Sequence, residues 1–355
     1  MAAALNPTFS ISIGSLRTSS QNPVAAPRLM TIERDMRVAA DSFELELTQH
    51  SDIKLDDAVA IELGMGDEQK KVFTGHVIEL RPTLEGLRVR ALGRMNALLR
   101  LRVSAFYENQ TAGKIVRDLL RKAGLKEGSI SDGPELPRFY VDRQRSGYAY
   151  ARDLADRLGY ELYANRDGEL MFHALGAAEK LDSMGGGVGA LAGVAAGSLG
   201  ALDGGAGGYG FGKQLIRAGG RVLPLPWGKV EVSGESPMSA RGDKTSHWLT
   251  ANADDYRGAA GSDEPVHIFV DPVARTKDLA DRFAAGYLAT RSRPSRELDA
   301  TVTGRADIEL GDSIKLEDVP DVTVNGSGYV QAIRHRLGER VGFLTDLRII
   351  TEAAT

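Results

Sequence analysis

The 355-residue chain is 42% apolar and 26% charged, the balance of a globular protein with material for two or three domains. A net charge of −4 argues against a nucleic-acid partner, and the absence of any cysteine excludes disulfides, thiolate metal sites and a cysteine nucleophile. The lack of cysteine also fits folding in a reducing compartment, and Met1 to Pro7 lack both the basic and the apolar part of a signal peptide.

Residues 1–105 read as an antiparallel barrel or sandwich, taken as a first tube-like β-barrel. Phe9–Ile13 and Phe43–Leu47 alternate apolar and polar residues, with Arg17–Pro23 as a polar loop between them. Three further runs follow, Asp57–Leu63, Thr74–Arg81 and Gly86–Leu92. Their inward positions include Val59, Ile61, Val77 and Leu80, and Gly64, Met65, Gly66 and Asp67 are predicted as the loop after the first run.

Residues 106–180 change period and read as a compact α+β insertion. Thr111 can cap a helix that buries Ile115, Val116, Leu119, Leu120 and Ala123 and stops at Gly124. A second helix, starting at Ser146 and ending at Gly159, buries Tyr150, Leu154, Ala155 and Leu158. A hairpin of Tyr160–Tyr163 and Leu170–Phe172 turns at Asn165–Gly168.

Residues 181–214 form a glycine-rich segment. Between 183 and 212 there is no Lys, Arg or Glu and a single acid, Asp203. A membrane-inserting helix would fit the length of the uncharged run, but each interior glycine costs about 1 kcal/mol relative to alanine. A dinucleotide loop at Gly187–Ala192 lacks the strand that should lead into it. Composition favours a flexible excursion, and stable membrane insertion is not expected.

Residues 215–295 resume with a strand at Gly228–Val232, which starts a second barrel. A helix is predicted over Thr276–Thr290, with Leu279, Phe283, Tyr287 and Leu288 inward and Gly286 as a weak point. Residues 296–355 then repeat the earlier strand pattern in the same order, as Asp312–Leu316, Ser327–Arg334 and Gly342–Ile349. Here the inward positions are Ile314, Leu316, Val330 and Ile333, and the corresponding loop is Glu317, Asp318, Val319 and Pro320. Each copy places a glycine two residues before a strand valine, Gly75 before Val77 and Gly328 before Val330. This fixed-order similarity points to a duplicated β-domain. The fold class is therefore α+β and mainly β, with two related tube-like antiparallel β-barrels and an inserted α+β region.

No catalytic, cofactor or metal site is expected. The six histidines are scattered, and no two have the spacing of a helical zinc site. Ala196–Gly200 misses the nucleophile elbow by its first glycine. Asp153 and Asp156 sit beside Arg152 and Arg157, the pattern of a solvated ion-pair face. Arg241-Gly242-Asp243 matches an adhesion tripeptide, for which a polar turn is the plainer explanation.

Two stretches resemble the phage late-control gene D family, which includes the hub-forming part of VgrG proteins. Tyr150–Tyr163, continuing through Gly168–His173, resembles the family's helix-plus-hairpin signature. Gly311–Ile314, Gly328–Arg336 and Phe343–Leu347 resemble its closing segment. The resemblance implies a structural baseplate hub of a contractile tail or injection machine. Such a hub is a homotrimer whose two barrels per chain give six positions in a ring, adapting a three-fold spike to a six-fold inner tube. VgrG-type chains continue into a spike, whereas this sequence stops at Thr355, so a separate spike protein is expected. An inner tube protein and baseplate wedge or adaptor proteins are the other expected partners. Assembly is expected in the bacterial cytoplasm, in the baseplate of a phage tail-like particle. The competing functions are a tail-associated peptidoglycan hydrolase, using a carboxylate pair across a cleft, and a surface-binding adhesin module using Arg241–Asp243.

Overall fold

Alternation of apolar and polar side chains governs both ends of the chain, and it produces strands that bury one face and expose the other. The computed structural model describes residues 6–24, 27–49, 51–175, 208–210, 213–224, 226–234, 256–262, 264–292 and 296–351. The glycine-rich segment outside 208–210 and 213–214, Arg241-Gly242-Asp243, His50 and His247 lie outside the described residues.

The N-terminal strands are β1 (Pro7–Ile13), β2 (Leu16–Ser19), β3 (Pro27–Asp35), β4 (Ser42–Leu47), β5 (Ala58–Met65), β6 (Glu68–Thr83) and β7 (Gly86–Gly93). Arg17–Ser19, expected in a loop, belong to β2, because Leu16–Ser19 pair with Ser10–Ile13 across a tight hairpin. The C-terminal strands are β18 (Arg296–Thr303), β19 (Ser313–Glu317), β20 (Gly326–Gly338) and β21 (Gly342–Ile350). Two earlier strands, β13 (Tyr209–Gly210) and β14 (Leu215–Val222), join them.

All thirteen strands form one sheet, ordered β14-β18-β21-β20-β3-β4-β7-β6-β5-β1-β2, with β19 on β20 and β13 on β19. The fold is therefore α+β and mainly β, but among the described residues neither half closes on itself as a barrel. The reason lies in β20. Its first residues pair with the short β19, and Ala332–Gly338 outrun that partner and pair with β3 instead. Two cores still form. The first contains Ile11, Ile32, Phe43, Ile61, Phe73 and Val89, and the second Leu298, Val302, Ile314, Val330, Leu347 and Ile349.

A third core unites stretches that the sequence reading places in separate segments. It combines α1 (Asn96–Arg100), α2 (Ala112–Ala123), α3 (Gly147–Leu158) and α4 (Lys277–Ser292) with short strands. These strands are β8 (Ala105–Thr111), β9 (Glu127–Ile130), β10 (Glu135–Val141), β11 (Tyr160–Ala164), β12 (Leu170–Ala174), β15 (Lys229–Ser233), β16 (Arg257–Gly261) and β17 (Val266–Val270). Thr111 and Ser146 cap α2 and α3 by accepting the Lys114 and Ala149 N–H groups, and Gly124 and Gly159 end both helices in the left-handed conformation. Gly286, the weak point of α4, is the contact with α3: a Cβ there would lie 2.1 Å from the Arg157 carbonyl oxygen. The Arg157 guanidinium also meets the buried Asp271 at 2.6 Å, and Tyr287 donates to the same carboxylate.

Candidate functional site

The duplicated strands are the feature from which a function can be built. The paths β3-β4-β7-β6-β5 and β14-β18-β21-β20-β19 have the same order and the same chain connections. In the first unit β3 runs directly into β4. In the second, β15–β17 and α4 are inserted between β14 and β18.

Main-chain detail matches at several corresponding positions, although the bulge of β5·β6 between Ile61 and Glu62 has no counterpart in β19·β20. A bulge interrupts β3·β4 between Pro27 and Leu29, and β14·β18 between Leu215 and Arg217. A second interrupts β6·β7 between Val77 and Glu79, and β20·β21 between Val330 and Ala332. Such bulges re-aim a strand and mark its register. Val77 donates its N–H to the Asp57 carbonyl at 2.9 Å, and Val330 donates to Asp312 at 2.9 Å. Each aspartate also folds its carboxylate back on the preceding turn, accepting Lys54 N–H in one unit and Glu309 N–H in the other, both at 2.8 Å. The residue before each aspartate has positive φ, 70° at Asp56 and 90° at Gly311. The repeated glycines have one cause as well. A Cβ on Gly75 would lie 2.2 Å from the Leu92 carbonyl oxygen, and one on Gly328 would lie 2.3 Å from that of Ile350.

Val59, Ile61, Val77, Ile314, Leu316, Val330 and Ile333 are all buried, and Leu80 is partly buried against the first core. The two loop segments are built differently. Gly64 and Met65 lie inside β5, and only Gly66 and Asp67 form the exposed turn. Beyond Glu317, the connection to β20 is longer and contains a short 3-10 helix at Val322–Val324. Asp318 and Pro320 are exposed there, and Glu317 and Val319 half-buried.

Where the units meet, a buried ionic junction forms that the sequence reading missed. Arg34 of β3 is 1% exposed and reaches Asp41 at 3.3 Å, Glu309 at 2.8 Å and the Ala164 carbonyl at 3.0 Å. Arg166, in the β11–β12 turn, holds the same Glu309 at 2.6 Å and donates to the Asp307 carbonyl. First unit, hairpin and second unit are thus tied through one carboxylate. Burial pushes the Asp41 carboxyl up to about 6, against the pull of Arg34. His335 lies in the second unit with Nδ1 3.0 Å from Thr345 Oγ1, and burial together with Arg34 and Arg166 pushes it down to about 3.

The candidate acid pair is occupied by ion pairs, Asp153 with Arg145 at 2.6 Å and Asp156 with Arg152 at 3.0 Å. Among the described residues no group of three His, Asp or Glu could hold a metal, and no helix is long and apolar enough to cross a membrane. The arrangement offers strand edges, turns and a buried ionic junction.

No protein-family model and no curated relative matches the sequence. Solved structures do. The 43 kDa tail protein of prophage MuSo2 from Shewanella oneidensis is 14% identical with a TM-score of 0.66, over 98% of this chain and 99% of that one. A tail protein from Neisseria meningitidis MC58 is 12% identical with a TM-score of 0.68, over 98% and 97%. The c3393 protein of E. coli, a type VI secretion component described as structurally similar to T4 bacteriophage tail proteins gp27 and gp5, is 12% identical with a TM-score of 0.52, over 97% of this chain and 77% of that one. At such identities the likeness is one of fold, shared with these two tail proteins and the type VI component.

Proposed function

We propose that the chain is a structural hub in the baseplate of a contractile, phage tail-like injection system. Three copies would place six related units in a ring, joining a separate three-fold spike below to the six-fold inner tube above and starting tube assembly. Wedge or adaptor proteins would surround that ring. The observation that carries this reading is the internal duplication: two units with the same strand order, the same two bulges and the same aspartate–valine bridge. A monomeric enzyme has no evident use for such a repeat, whereas a three-fold object meeting a six-fold one needs it.

The turns after β5 and β19 are the proposed contacts with the tube, through Gly66 and Asp67 in the first unit and Asp318 and Pro320 in the second. Charge reversal at Asp67 or Asp318, to Lys, is expected to leave the hub folded and to reduce the number of tubes seen by electron microscopy. Normal tube number and length from both variants would reject these turns as the tube-facing rim. The hydrolase reading is tested by a zymogram of the purified chain on peptidoglycan, where a cleared band would contradict a purely structural role. Loss of cell attachment in an Asp243→Glu variant would favour the adhesin reading instead.

A further inference from the structure

Among the edges of the thirteen-stranded sheet that have no strand partner in the described residues, two have counterparts that are paired within the chain. One is the outer edge of β14, which pairs only with β18. The other is the C-terminal half of β6, from Glu79 to Thr83, which pairs with β7 on one side and extends past β5 on the other. Each has an equivalent in the opposite unit. Counting from the shared bulges, β14 corresponds to β3, and Glu79–Thr83 correspond to Ala332–Arg336 of β20. Those two equivalents are paired with each other: β3 lies antiparallel along β20, with Arg34 opposite Ile333 and Ile32 opposite His335.

We infer that copies of this chain join by repeating that pairing, the free edge of β14 in one copy lying antiparallel on the free half of β6 in the next, with Val222 opposite Leu80 and Gly220 opposite Pro82. This rests on the ring reading above and deepens it by naming the seam. The internal contact already seats one unit on the next, and applying it again from second unit to first gives a head-to-tail contact, which closes into a ring if the rotation allows. Unpaired edges invite strand addition, and both edges carry exposed apolar residues: Val222 is 75% exposed and Leu223 39%, and Leu84, just beyond β6, is fully exposed.

The seam differs from the internal joint in ways that weaken it. Arg334 pairs with Glu33 inside the chain, whereas the seam sets Arg81 against Arg221, whose charge is already paired with Glu297. Pro82 stands where the internal joint has His335, and it brings no N–H to the ladder. A seam with one donor fewer fits a ring that forms in the presence of its spike and tube rather than as a free trimer.

The absence of native cysteine makes the test clean. Directly opposed residues have Cα atoms about 4.5–5.5 Å apart, within disulfide range. Leu80→Cys with Val222→Cys, and separately Arg81→Cys with Arg221→Cys, are assembled with the spike and tube proteins of the same particle and oxidised. Leu80→Cys with Ala218→Cys is the control, out of register by four residues, or about 13 Å. Covalent species of two and three chains from the in-register pairs, at least tenfold above the control, support the seam. A complex with three copies of the chain by mass but no in-register cross-link, or equal cross-linking in the control, overturns the seam and leaves the hub reading standing. Absence of any three-copy complex overturns both.

Discussion

The two units share a backbone and differ in what lies against their first strands. Unit one begins with β3, which sits between β4 and β20 and carries Met30, Ile32 and Arg34, all buried. Unit two begins with β14, whose corresponding residues are Ala218, Gly220 and Val222, at the sheet's outer edge. The bulge at the start of both strands is unchanged. Duplication has kept what the backbone needs, and neighbours have decided the side chains. An interior strand needs bulk to fill a core, while an edge strand needs only its ladder and space for a partner.

The largest effect should come from what the units share. A carboxylate at Val77 or Val330 would be buried in an apolar core without a cation, and each Val→Asp change should remove more than about 4 kcal/mol. Loss of the cooperative thermal transition in both variants is the expected result. A folded V77D beside an unfolded V330D would show that the two units are not equivalent. Next in size is a contrast between corresponding positions. Arg34→Ala leaves the buried Asp41 without its cation, and Glu309 with Arg166 alone, and should cost about 3–5 kcal/mol. Val222→Ala, at the equivalent but exposed position, should change stability by less than about 0.5 kcal/mol. Urea denaturation of the two variants measures that difference, and equal losses would mean that β3 and β14 do not correspond.

Smaller, matched losses are expected from Gly75→Ala and Gly328→Ala. Each new methyl would press on a carbonyl oxygen of the last strand in its unit, a form of overpacking that costs about 1–3 kcal/mol. A further effect is pH-dependent. The Asp41 carboxyl titrates near 6 in the folded chain and about 4 when unfolded, so the folded state takes up that proton first. Its contribution to stability should therefore rise as pH falls from about 6 to about 4. His335 works in the opposite direction, since its folded value lies near 3 and stability is lost as pH falls below about 6.5. The difference in unfolding free energy between the natural chain and Asp41→Asn isolates the first term. The natural chain should gain relative to the variant on acidification, and a relative loss would contradict the buried, raised carboxyl.

Much of this was legible in the sequence where local chemistry sets local structure. Thr111 and Gly124, and Ser146 and Gly159, mark two helices at both ends, and alternation marks the strands of each three-strand repeat. β14 was not legible, because Arg217-Ala218-Gly219-Gly220-Arg221 has weak strand propensity and is held by its ladder to β18. Continuity of the sheet was hidden for a similar reason: the pairing of β20 with β3 joins residues about 300 positions apart and has no local signature. The Arg34 junction was equally invisible. Arg34, Asp41, Arg166 and Glu309 are each ordinary in sequence, and only the fold removes them from water together.

Counting the chains in the assembled hub tests the central claim most directly. Native mass measurement of the complex with its spike should give three copies of this chain, so that two units per copy fill six positions. A stable complex with two or six copies would contradict the ring, whatever the strand pairing within each chain.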